Sequence, residues 1–147
     1  MARMDKAAMH SIMWERRQEE LWERIFQVTQ DVVLLADALG EDSGGVIMKE
    51  EMVRAAMTVG KHLVRATAAD GSGDFEKYVT EARMTAIEAD YWLRLAYIVQ
   101  QREDVQRDLS SIITQYATII DLLQKLTNHV HQNQDGRRHT KGPKVNL

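Results

Sequence analysis

At 147 residues, with 44% apolar content and no cysteine, the chain can bury one core and excludes disulfide frameworks, thiolate nucleophiles and cysteine-built metal sites. Its formal charge of -3 and pI near 5.9 carry no overall basic signature for nucleic acid. The longest apolar run, Val32 to Ala36, is far short of a membrane span, and no signal-peptide core opens the chain, so a soluble cytoplasmic protein without membrane contact is expected.

Proline removes a backbone donor and clashes with the preceding turn, which costs about 3 kcal/mol inside a helix. The one proline is Pro143, so nothing of that kind interrupts the preceding residues. The first helix is predicted over about 14–39. Leu21, Ile25, Val28, Val32, Leu35 and Leu39 recur at spacings of four and three, which makes one apolar stripe. Trp22, Phe26, Thr29 and Val33 widen that stripe to one side, and a wide stripe serves two neighbours. Glu20 and Arg24 stand in the favourable i,i+4 order on the polar face, and Gly40 is the expected terminator.

The second helix, about 46–69, places Met48, Met52, Ala55, Ala56, Val59, Leu63 and Ala66 on one face. Asp70-Gly71-Ser72-Gly73-Asp74 is then too short for anything but a tight reversal. Asp74 is the expected N-cap of a third helix over about 74–100. Its apolar line is Phe75, Tyr78, Val79, Ala82, Ala86, Ala89, Leu93, Ala96 and Val99. The next break, from Gln100 to Asp104, has neither glycine nor proline. It is placed there because a helix running through it would exceed fifty residues, and because Leu109, Ile112, Tyr116, Ile119, Leu123, Leu126 and Val130 restart the pattern. That fourth helix is predicted over about 104–132, with Asp104 as its cap. Short loops joining helices of this kind predict an all-α, antiparallel up-down-up-down four-helix bundle over 1–132. Residues 133–147 are polar and carry Arg137, Arg138, Lys141 and Lys144 against Asp135, or +3, which leaves -6 on the rest. A flexible basic tail is expected there.

The middle of the chain resembles the bacterial four-helix-bundle proteins encoded in intervening sequences of 23S ribosomal RNA. The resemblance rests on Arg54-Ala55-Ala56-Met57-Thr58-Val59-Gly60, on Ser72-Gly73-Asp74-Phe75, and on Glu88-Ala89-Asp90-Tyr91-Trp92-Leu93-Arg94-Leu95, and it extends back to Glu23, Arg24 and Phe26. Thr58 stands where that family usually has serine. Its usual asparagine and glutamate in the second helix are His62 and Arg65 here. The resemblance implies a cytosolic bundle that assembles into rings of five and carries no catalytic activity. It also implies kinship with the basic accessory bundles of diversity-generating retroelements, which bind nucleic acid and a protein partner.

Five residues are the candidate subunit contacts: Trp22, Phe26, Gly60, Tyr91 and Trp92. Gly60 costs about 1 kcal/mol in mid-helix, and close packing against Trp92 or a neighbouring subunit is the expected compensation. Tyr91 and Trp92 diverge by about 100° around a helix, so Trp92 is expected inward and Tyr91 at an edge. A buried Glu88 would need a donor such as Arg54, Thr58 or Tyr116. Arg54, Lys61 and Arg65 fall within about 40° of one another, a strip that either meets phosphates or is a solvated face with Glu50 pairing Arg54. Together with Arg137, Arg138, Lys141 and Lys144 they are the candidate contacts to RNA or DNA.

No catalytic residue, cofactor or metal site is expected. His129 and His131 diverge by about 200° on a helix, and no Glu-x-x-His occurs. The leading expectation is a non-enzymatic homo-oligomeric scaffold, a homopentamer on the resemblance, and the alternative is a nucleic-acid-binding accessory protein.

Overall fold

The computed structural model describes the backbone of residues 6–140 and the side chains of residues 18–130. Four helices follow in order: α1 (Lys6–Ala36), α2 (Ser43–Thr67), α3 (Ser72–Val99) and α4 (Glu103–Thr140). There is no strand among the described residues. Each helix packs on the next, α4 closes back onto α1, and the backbones of the diagonal pairs stay apart. This is the four-helix bundle that the apolar periodicity predicts.

The stripes read from the sequence form the core. Leu21, Ile25, Val28, Val32, Leu35 and Leu39 are buried on α1 and its C-terminal turn. Met52, Ala55, Ala56, Val59, Leu63 and Ala66 are buried on α2, and Leu109, Ile112, Tyr116, Ile119, Leu123, Leu126 and Val130 on α4. On α3 the buried line is Val79, Ala82, Ala86, Ala89, Leu93 and Ala96, while Val99, expected to continue it, is exposed. Alanines facing each other let backbones approach, and α3 packs on α2 and α4 more extensively than α1 does. Tyr116 is the largest fully buried side chain, in one cluster with Ala55, Ala56, Ala82, Ala86 and Ala89. A large ring among small residues keeps such a core filled.

The helix ends differ from the pattern-based bounds for local reasons. α1 stops at Ala36, before Gly40. Ala38 and Leu39 donate to the carbonyls of Leu35 and Ala36 at 2.9 and 3.2 Å, so the last turn tightens instead of reversing through a left-handed glycine. No described residue has a positive φ. Asp42 caps α2, its carboxylate accepting from the Gly45 amide at 2.7 Å. Gly71, not Asp74, is the N-cap of α3, and Asp74 lies in the first turn. Asp104 likewise lies in the first turn of α4. The Arg102 guanidinium, 2.7 Å away, holds the Asp104 carboxyl below its ordinary range.

α4 runs on to Thr140, through residues the sequence reading assigned to the tail. No proline intervenes before Pro143, and extending an existing helix needs no new nucleus. α1 likewise begins at Lys6, upstream of the predicted start.

Candidate interaction surface

α3 is apolar on two sides. Its inward line is alanine with Val79 and Leu93, flanked by Phe75, Tyr78 and Trp92 packed against the core, and a second line of large apolar residues points away from the bundle. Met84, Ile87, Tyr91, Leu95 and Ile98 lie within an arc of about 80° at 100° per residue, opposite the alanine line. Met84, Tyr91 and Ile98 are 54%, 59% and 75% exposed, Ile87 is exposed and Leu95 half-buried. Spacings of three and four along this line are those of a helix-docking seam.

A second apolar strip runs along the seam between α1 and α2. Two observations locate the facing edges. A Cβ on Gly60 would meet Ile25 Cγ2 at 4.0 Å, and Trp22 lines a small crevice with Leu63 and Thr67. On that edge α1 carries Trp22, Phe26 and Val33, and α2 carries Val46, Val53, Met57 and Val64. Phe26 is 68% exposed and stacks on Trp22 with ring centroids 5.6 Å apart. The other edges of these helices are more polar, with Leu34 and Ile47 as their exposed apolar residues. His62 Nδ1 lies 3.2 Å from Glu81 Oε2 across α2 and α3, a charge-pair distance without hydrogen-bond alignment. Gln115 of α4 donates to Asp31 of α1 at 3.2 Å.

Four of the five candidate contacts therefore fall on two faces. Trp22, Phe26 and Gly60 belong to the α1/α2 seam, and Tyr91 belongs to the outer face of α3. Trp92 is half-buried against the core, edge-on to Tyr91 at 5.2 Å. Gly60 makes no tight approach to Trp92 or to any other described group, because its space holds a Cβ in ordinary contact. Close packing within the monomer therefore does not account for this glycine. Glu88 is exposed and needs no buried donor. Met57, Val64, Met84, Ile87 and Ile98 were not singled out from the sequence. The signal was present as a second apolar line on α3, three and four residues apart, beside the alanine line.

Arg54, Lys61 and Arg65 share an exposed arc of α2. Arg54 pairs with Glu51 at 3.2 Å, in place of the expected Glu50. Arg137 and Arg138 lie on the α4 backbone, but their side chains, with Lys141 and Lys144, fall outside the described residues. No group of three or more His, Cys, Asp or Glu able to hold a metal occurs among the described residues. No described helix is long and apolar enough to cross a membrane. The open groove of about 380 Å³ between α1 and α4, beside Asp31, Leu34, Asp108 and Ser111, is one broad concavity on this surface.

No family model matches the chain, and no curated protein is similar to it. Among solved structures, the chain resembles a protein of unknown function from the S23 ribosomal protein family of Bacteroides thetaiotaomicron. The likeness has a TM-score of 0.69 at 20% identity, and covers 76% of this chain and 98% of the other. At that identity the likeness establishes the shared helical fold.

Proposed function

We infer that the protein is a non-enzymatic, cytosolic, homo-oligomeric helical scaffold, a relative of the bundles of 23S ribosomal RNA intervening sequences that forms a pentamer. The observation that carries this reading is the second, outward apolar line of α3. Large apolar side chains turned outward along the 15 residues from Met84 to Ile98 are costly to leave in water. A second helix surface laid on them removes that cost. The α1/α2 seam supplies a further apolar face of the same kind. The resemblance read from the sequence adds the ring of five and the absence of catalysis. Light scattering during size exclusion tests this directly. The expected mass is about five times 16.9 kDa, and a concentration-independent monomer overturns the reading.

A second reading rests on Arg54, Lys61 and Arg65, which stand exposed on one arc of α2. In that reading the protein is a nucleic-acid-binding accessory bundle, with the basic residues near the C-terminus as additional contacts. A ring would multiply individually weak contacts. Binding to RNA or DNA at low salt, reduced on removal of 133–147 and lost steeply with added salt, is the expected result. Absence of any shift at low salt disposes of it.

A further inference from the structure

We propose that the two apolar faces belong to one head-to-tail contact, in which the α1/α2 seam of one copy docks on the outer face of α3 and the α3/α4 hollow of the next. This rests on the assembly reading above and adds which surface meets which.

Three features single out this pairing. The first is shape. Phe26, backed by its stack on Trp22, is the prominent exposed aromatic of the seam. At the C-terminal end of the α3 stripe, the surface is dished into a hollow of about 310 Å³ lined by Arg94, Tyr97, Ile98, Ser110 and Ile113. A protruding ring and an apolar hollow form an anchor-and-pocket pair, the arrangement in which interface energy concentrates.

The second is charge. On α1 the outer edge beside Phe26 carries Glu19 and Glu23, and on α2 the outer edge carries Arg54 and Lys61, with Glu50 nearer the helix start. The α3 stripe has Arg83 and Arg94 with Glu76 and Asp90 on the side toward α4, and Glu88 with Lys77 on the side toward α2. With Phe26 in the hollow, the Glu23 edge meets Arg94 and the Lys61 edge lies toward Glu88. Opposite signs thus meet at these two points, which favours this orientation. Arg94 is held at Asp90 by a 2.8 Å contact and presents its guanidinium beside the hollow, where it can also lie over an aromatic ring.

The third is symmetry. Two different patches on different sides of one chain make a heterologous contact, which leaves both patches covered only when copies follow one another around a closed ring. A two-fold dimer through either patch would leave the other in water.

The chain has no cysteine, so paired substitutions report contacts without background. Glu23, on the edge beside Phe26, and Ser110 are both exposed, and replacing either leaves the core and the Phe26 anchor intact. Glu23→Cys and Ser110→Cys, carried on differently tagged copies and co-expressed, are expected to give a mixed disulfide dimer on oxidation. The double variant is expected to give a ladder of head-to-tail species on a non-reducing gel. An oligomer by light scattering that forms no mixed dimer, or in which Glu23→Cys links chiefly to itself, overturns the pairing while the assembly reading survives. An unsubstituted chain that is monomeric by light scattering overturns both.

Discussion

Tyr116 is the residue where burial and chemistry conflict most openly. Its ring fills the alanine-lined centre of the core, yet its hydroxyl has no hydrogen-bond partner. Burial pushes its phenol above the ordinary value near 10, because an ionised ring would be left without water. The neutral form is therefore favoured in the fold, and stability falls as pH rises above about 10, where the unfolded chain ionises first. The slope is at most about 1.4 kcal/mol per pH unit. Tyr116→Phe keeps the ring and removes the unsatisfied hydroxyl. It is expected to raise stability by about 1 kcal/mol at neutral pH, and to flatten the alkaline limb of denaturant titrations followed between pH 8 and 11. A loss of stability would mean that the hydroxyl has a partner. Gly60 poses a simpler case. Its Cβ would make only an ordinary contact with Ile25, so Gly60→Ala is expected to stabilise the monomeric fold by about 1 kcal/mol in a urea melt at low protein concentration. The tyrosine's place in the core was legible from its spacing with Ile112 and Ile119. The missing partner was not, because it depends on what three other helices bring to that level.

At the scale of the helices, existence and inward face were legible in all four, while the ends were not. A buried stripe repeats every three to four residues and is averaged over six or seven positions. An end depends on one or two hydrogen bonds. The turn from 40 to 45 shows how. Gly40 looked like a terminator, but the residue with no freedom is Gly45. A Cβ there would fall on the carbonyl oxygen of Gly40, a backbone atom that cannot swing aside. The close return of the chain brings the Gly45 amide onto the Asp42 carboxylate, which starts α2. Gly45→Ala is therefore expected to destabilise the protein by roughly 1–3 kcal/mol through overpacking, and Asp42→Ala by about 1 kcal/mol through loss of the cap. Thermal melts of the two variants check the order, and an unperturbed Gly45→Ala would mean that the turn adopts another path. The same distinction explains α3. Its alanine line was read correctly as the buried one, and that success hid the larger residues on the other side of the same helix.

Taken whole, the molecule has a filled interior and two apolar outer faces, and this leads to a thermodynamic expectation separate from any count of subunits. Assembly that binds the folded chain and not the unfolded one stabilises the fold by mass action, so the melting temperature rises with protein concentration. Two charges placed in the α3 stripe, Tyr91→Glu with Ile98→Glu, stand at exposed positions and replace no buried residue. They are expected to abolish that concentration dependence while leaving the helical circular-dichroism spectrum unchanged. Salt separates the two functional readings in the same experiment. An interface built on Phe26, Met57, Tyr91 and Ile98 excludes apolar surface from water, which added salt does not weaken. Contacts from Arg54, Lys61 and Arg65 to phosphates would fade within the Debye length as ionic strength rises. A concentration-dependent melt that persists in about 0.5 M salt, where that length is only a few ångströms, would assign the two faces to assembly. A concentration dependence that vanishes with salt would mean that the charged rims, not the apolar strips between them, hold the copies together.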